Sequence, residues 1–267
     1  MKTKSTNHPQ NFHNLTRSEY DAIKALNYTG SKEILKSPLH YKTWLNTPRE
    51  ETKALRIGKM VHEAILTPDL FERYKPLPDV DKRTKDGRET IQYFQSTLTK
   101  NDISVDNDEY NFVLNVSDSV QDALDKKGIK FEFTETVATA EYNNTPLKCS
   151  FDGYSQGVLF DIKTTDDTSP EAFLRTVRQY KYNLQQMMYC TITGAEKFVF
   201  IAVEKQAPYS VCFYELGNEI MAQAFLDFET AVKRYKHSTE HNIWDGYSQD
   251  IVTLDVPKKN SLVIPFA

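Results

Sequence analysis

The chain has 267 residues, with 33 Lys and Arg against 37 Asp and Glu, a formal charge of −4 and 39% hydrophobic residues. A chain of this length buries roughly 70–75% of its unfolded surface on folding, so its core needs no staples. Its three dispersed cysteines, Cys149, Cys190 and Cys212, exclude a disulfide miniprotein and fall short of the thiolate set of an iron–sulfur cluster. No run approaches the roughly 18 apolar residues of a membrane span, and the first ten residues lack the apolar core of a signal peptide; a cytoplasmic protein without a membrane role is expected. The charge is uneven, since residues 1–60 carry 11 basic and 5 acidic side chains and the remainder is acidic. A local phosphate-binding surface is compatible with that distribution, as is an ordinary solvated helical face.

In chain order, 1–15 reads as a disordered tail. Thr16 and Glu19 form a capping box that predicts a helix over 17–26, and Ser37-Pro38 starts another short helix with proline at its first position. Over 51–66, Ile57, Val61 and Ile65 recur at helical spacing until Pro68. Residues 101–125 hold seven acids and no base, yet Phe112, Val116, Val120 and Leu124 make one apolar stripe, which predicts an acidic-faced helix. The period then changes to two. Runs at 131–142, 147–154 and 158–164 are separated by Asn143-Asn144 and Gln156-Gly157, so three antiparallel strands joined by hairpin turns are expected. One long helix over 170–193 ends at Gly194. A continuous apolar strand at 197–204 should lie parallel to its neighbour, and a strand near 210–216 and a helix over 219–236 follow. Without repeats or linkers, 1–267 reads as one domain of α/β class: a helical part at 16–130, a βββ-α-β core with a mixed sheet at 131–236, and an extension at 237–267.

The chemistry concentrates on two strands. Asp161 and Lys163 share one face of their strand, with Ile162 on the other, and Asp152 precedes a glycine at the end of the strand before. In a hairpin turning at Gln156-Gly157 that offset can bring the two carboxylates together. Two acids and an ammonium form a site for a hard divalent cation, and the lysine can orient or help deprotonate a water. Each piece also has an ordinary reading: Asp152 as a turn residue, Asp161 with Lys163 as a surface ion pair. The apolar neighbours Leu159, Phe160 and Ile162 argue for a central strand, where charges need a reason to stay.

Asp152 followed by Asp161-Ile162-Lys163 on a βββ-α-β core resembles the PD-(D/E)XK nucleases, and so a restriction-endonuclease-like core. Two further motifs are similar to the subgroup of RecB nuclease domains and phage recombination exonucleases. They are Gly58-x-x-x-His62-x-x-x-Leu66-x-Pro68 and Gln185-x-x-x-Tyr189. Within that subgroup the chain resembles the exodeoxyribonuclease VIII (RecE-type) family through Ser37-Pro38-x-His40, Arg83-Thr84-Lys85-Asp86-Gly87, Asp161-Ile162-Lys163-Thr164-Thr165 and Trp244-Asp245-Gly246-Tyr247-Ser248.

The resemblance implies a Mg²⁺ site, with Mn²⁺ able to substitute, made of His62, Asp152, Asp161 and the main-chain carbonyl of Ile162. It assigns catalysis to Asp152, Asp161, Lys163, Gln185 and Tyr189. Glu135 and Glu141 alternate on one strand, and either is a candidate for a second metal. The basic stretch Lys82, Arg83, Lys85 and Arg88 reads by itself as a solvated loop, and within the family pattern as a grip on DNA phosphates. Together with the basic residues 1–60 it is expected to line a DNA channel that the acidic helix faces away from. The implied activity is an exonuclease degrading double-stranded DNA 5′ to 3′, as a ring-shaped homotetramer working with a single-strand annealing protein in phage or prophage recombination. Rival readings are another PD-(D/E)XK nuclease, single-strand-specific or endonucleolytic, and a catalytically silent DNA-binding subunit.

Overall fold

In this computed structural model the described residues, 11–48 and 50–254, begin with β1 (Phe12–His13), α1 (Arg17–Ala22), α2 (Tyr28–Lys36), α3 (Pro38–Asn46), α4 (Lys53–Leu66), α5 (Pro68–Phe71), β2 (Tyr74–Pro76), α6 (Lys85–Thr97), β3 (Ile103–Val105) and α7 (Asn107–Lys127). They continue with β4 (Phe133–Tyr142), β5 (Thr145–Ser155), β6 (Val158–Thr165), α8 (Pro170–Tyr180), α9 (Tyr182–Thr193), β7 (Lys197–Glu204), β8 (Val211–Tyr214) and α10 (Asn218–His241). The hairpin turns form where the sequence places them. Asn143 and Asn144 have φ of 50° and 59°, and Gln156 and Gly157 have 49° and 84°, the left-handed pairs whose twist suits a two-residue turn.

Six strands make one mixed sheet in the order β1-β4-β5-β6-β7-β8. Only β6 and β7 run parallel, with Asp161 opposite Phe200, and the other neighbours are antiparallel. A parallel pair needs a crossover, which α8 and α9 supply. One face of the sheet is covered through Ile34 of α2, Leu184 and Met188 of α9 and Phe228 of α10. Met60 and Val61 of α4, and Val113, Val116, Val120 and Leu124 of α7, cover the other against Phe160, Ile162 and Ile201. The mixed α/β class and parallel central strand agree with expectation.

Several expectations change. Residues 12 and 13 are not tail: β1 pairs with β4, and the Phe12 ring nests among Phe133, Phe151 and Tyr154 at 4.9–5.4 Å. Residues 1–10 of the expected tail, and 255–267 of the expected extension, lie outside the described residues. The helix over 170–193 is two helices, because Lys181 takes a left-handed conformation (φ 58°, ψ 41°). The acidic helix starts at Asn107, after the short strand β3, and buries Val113 while Phe112 is only partly covered.

The basic stretch is not wholly a loop. Thr84 caps α6, so Lys85 and Arg88 fall in the helix's first turns. Gly87 is required there, since a Cβ would stand 2.0 Å from the Asp81 carbonyl oxygen. Two distant motifs also meet: the Leu39 amide donates to the Asp245 carbonyl at 3.0 Å, and the His40 and Tyr247 rings lie 5.0 Å apart. No helix among the described residues is long and apolar enough to cross a membrane.

Candidate active site

The site forms where the regular ladder fails. Side chains an odd number of residues apart on a strand point to opposite faces, yet Phe133 packs with Ala138, and Tyr154 with Phe151. Both strands change phase between the pairs Thr134↔Gly153 and Thr136↔Phe151, that is, at Glu135 and Asp152. Glu135 carries the change with φ 46°, a left-handed conformation that costs a non-glycine residue roughly 1–2 kcal/mol. The β5–β6 ladder ends at Gly153↔Phe160. Beyond it, the Ile162 amide donates to Asp152 Oδ2 at 2.7 Å, so a side chain replaces the missing rung.

Around this kink the side chains converge from five elements, α4, β4, β5, β6 and α9. From α4, His62 Nδ1 lies 3.5 Å from both Glu135 Oε1 and Asp152 Oδ1, and ligand atoms of the three residues lie within 4.8 Å of one another. On β6, Asp161 Oδ2 contacts Lys163 Nζ at 2.5 Å, and Asp161 Oδ1 accepts from Gln185 Nε2 of α9 at 2.6 Å. Lys163 Nζ also stands 4.8 Å from the centroid of the Tyr182 ring. Asp152 and Asp161 are buried, at 8% and 1% exposure.

Burial pushes the Asp161 carboxyl up to about 6, against the pull of Lys163, with Asp152 adding to the rise. Burial likewise raises Asp152, opposed by His62 and Lys163. Burial disfavours the charged His62 ring, but Asp152 and Glu135 outweigh it and lift the group to about 9. In the same way Asp161 and Asp152 overcome the desolvation of Lys163 and raise it above its ordinary value. The two acids thus favour the ammonium form of the lysine.

Two carboxylates, Glu135 and Asp152, and the His62 imidazole are a donor set for a hard divalent cation such as Mg²⁺ or Mn²⁺, while the Asp161 oxygens are engaged by Lys163 and Gln185. The buried Gln185 Oε1 has no hydrogen-bond partner, an unmet acceptor beside the acids. The residues thus fit the group. Of the two glutamates left open by the sequence, Glu135 is at the site, whereas Glu141 is exposed and faces Pro146 near the Asn143-Asn144 turn.

Not every expected residue joins. Tyr189, one turn beyond Gln185, packs in the core with its ring 6.3 Å from Phe198, and no hydrogen bond links it to the acids. Ile162 contributes its amide to Asp152. Lys82, Arg83, Lys85 and Arg88 are exposed and engaged locally: Arg83 with Asp81 at 3.1 Å, Lys85 with Glu89 at 3.7 Å, Lys82 with Asp106 at 3.9 Å, and Arg88 on the Arg83 carbonyl at 2.7 Å. Part of the basic N-terminal charge is also taken, because Lys53 and Arg56 pair with Glu109 of the acidic helix at 2.8 and 2.6 Å. Tyr182 was not singled out by sequence; its one signal was a tyrosine three residues before Gln185.

A mixed sheet with flanking helices, carrying two buried aspartates and a lysine across adjoining strands, is the fold of the PD-(D/E)XK nucleases, which generally use divalent metals. The chain belongs to the family of PDDEXK-like domains of unknown function called DUF3799, whose model matches residues 27–255. A protein of Eubacterium rectale assigned as an exonuclease shares the fold with a TM-score of 0.63 and 14% identity, over 91% of this chain and 96% of that one. A phage-related exonuclease from Haemophilus somnus aligns over 82% of this chain and 96% of its own, with 11% identity and a TM-score of 0.37. A search of the curated proteins finds no match. The findings reach the nuclease superfamily and not the exodeoxyribonuclease VIII type within it.

Proposed function

We propose that this protein is a Mg²⁺-dependent DNA exonuclease of the exodeoxyribonuclease VIII type, resecting duplex ends 5′ to 3′ for recombination by single-strand annealing. The observation that carries the reading is the linkage of Asp152, Asp161 and Lys163 around Ile162, with His62 and Glu135 facing Asp152. His62, Asp152, Asp161 and the Ile162 carbonyl would hold the cation, with Glu135 beside them. A divalent ion bound there acidifies a water and offsets charge on the phosphate. Lys163 presents its ammonium to the oxygen where negative charge develops. Gln185 holds Asp161 by one oxygen, which fixes the acid and the lysine paired to it. Tyr189 supports that helix from the core. Lys82, Arg83, Lys85 and Arg88 meet backbone phosphates by exchanging their weak local pairs for DNA. A ring homotetramer in the cytoplasm and a single-strand annealing partner belong to the same reading.

Duplex DNA labelled separately at its 5′ and 3′ ends, with and without Mg²⁺, tests the proposal. Early release of the 5′ label from linear duplex, with a closed circle left intact, is expected. Cutting of the circle points to an endonuclease, and no cleavage with Mg²⁺ or Mn²⁺ points to a silent DNA-binding subunit; either result overturns the reading.

A further inference from the structure

The break between α8 and α9 places an aromatic pair beside the buried acids. Tyr180 ends α8, Lys181 reverses the chain in its left-handed conformation, and Tyr182 opens α9. In an unbroken helix residues two apart point about 200° away from each other. Here the two rings stack, with centroids 5.6 Å apart and planes at 21°.

Tyr182 is anchored from below, stacked on Phe200 at 5.8 Å and covered by Lys163 at 4.8 Å. Tyr180 is the outer step and remains 47% exposed. Its carbonyl accepts from the Tyr28 hydroxyl of α2, and Lys32 Nζ stands 4.5 Å from the centroid of the Tyr28 ring. The sequence of contacts from solvent inward is thus Tyr180, Tyr182, Lys163, Asp161, with a second lysine flanking the outer step.

Core packing accounts for Tyr182 but not for a half-exposed tyrosine stacked upon it. Where the strand presented to the buried carboxylates is frayed from the duplex, the base beside the reacting phosphate loses a stacking neighbour. An aromatic face next to a cation is the sequence-tolerant replacement for that neighbour.

We propose that Tyr180 and Tyr182 form a base-stacking ledge, on which the unpaired nucleotide next to the phosphate at Lys163 rests, with Lys32 contacting the adjoining phosphate. The proposal rests on the nuclease reading above and adds to it a substrate class: a frayed or single-stranded nucleic-acid end, held without regard to base identity.

The test uses a duplex whose short overhang carries 2-aminopurine near its end, mixed with the full-length protein without divalent metal. Binding to the wild-type protein should quench the 2-aminopurine fluorescence. Tyr180→Ala should lose most of the quench and bind roughly 5- to 100-fold more weakly, while Tyr180→Trp restores both. Lys32→Ala should keep the quench and flatten the salt dependence of binding by about 0.7 in log–log slope. Circular dichroism and urea unfolding of each variant confirm that the fold persists. An undiminished quench and unchanged affinity in folded Tyr180→Ala overturn the ledge, even where the wild type cuts DNA with Mg²⁺. Conversely, a Tyr180-dependent quench in a protein that never cuts DNA supports the ledge and overturns the nuclease reading.

Discussion

Asp152 accepts the main-chain N–H of Ile162 at 2.7 Å, at the point where the β5–β6 ladder stops. One residue therefore does two things: it satisfies a buried amide that the partner strand has abandoned, and it turns its other oxygen toward His62. The two roles separate by substitution. Asp152→Asn keeps an acceptor for the amide and relieves a buried charge, so its urea midpoint should be no lower than wild type while DNA cleavage is lost. Asp152→Ala leaves the amide unsatisfied and should cost about 1–3 kcal/mol in the same unfolding experiment.

Gln185, on the helix that covers the Asp161 face of the sheet, holds Asp161 Oδ1 at 2.6 Å. Partners that orient a ligand in this way typically contribute 10- to 100-fold, so Gln185→Ala should lower kcat by about that factor. The KM for DNA should change little, because the side chain is buried and offers the substrate nothing directly. A pure loss of affinity at unchanged kcat would contradict the assignment.

Glu135 stands at the site and Glu141 does not. Calorimetric titration with Mg²⁺ or Mn²⁺ should show affinity weakened at least about ten-fold in Glu135→Gln and unaltered in Glu141→Gln. Because a cation offsets converging carboxylates in the folded chain alone, saturation at about 100 times Kd should stabilise the wild type by roughly 2.7 kcal/mol. EDTA should reverse that gain in a thermal unfolding scan and abolish cleavage.

The basic stretch at the start of α6 is held in local pairs at 3.1–3.9 Å. If phosphates replace those pairs, substituting Lys82, Arg83, Lys85 and Arg88 together by alanine should reduce the slope of log affinity against log salt by about 0.9 per lost contact. A slope equal to wild type would remove these residues from the DNA interface.

Lys181 takes its left-handed backbone with an ion pair to Asp227 at 2.7 Å. Lys181→Gly should be tolerated within about 1 kcal/mol, since glycine adopts that conformation freely. A β-branched residue cannot do so cheaply, and Lys181→Val should destabilise by roughly 1–2 kcal/mol or more in urea.

Sequence alone determined what local chemistry controls. Capping by Thr16 and Ser37, the left-handed turns at Asn143-Asn144 and Gln156-Gly157, the stripe of α7 and the buried strand β7 are short-range matters of hydrogen bonding and period. The spacing of Asp152, Asp161 and Lys163 around one hairpin was legible for the same reason, as were the helices bearing His62 and Gln185. Tertiary structure decided what depends on partners far along the chain. Nothing local marks Lys181 as a break, because the left-handed turn is stabilised by Asp227 on α10 and by the packing of two helices on one sheet face. Nothing local separates Glu135 from Glu141, since both alternate on β4 and only the kink opposite Asp152 selects one. The stacking of Tyr180 on Tyr182 follows from that same helix break. Periodicity reports which face of an element is buried, whereas a site is defined by which elements meet, and only long-range packing determines that.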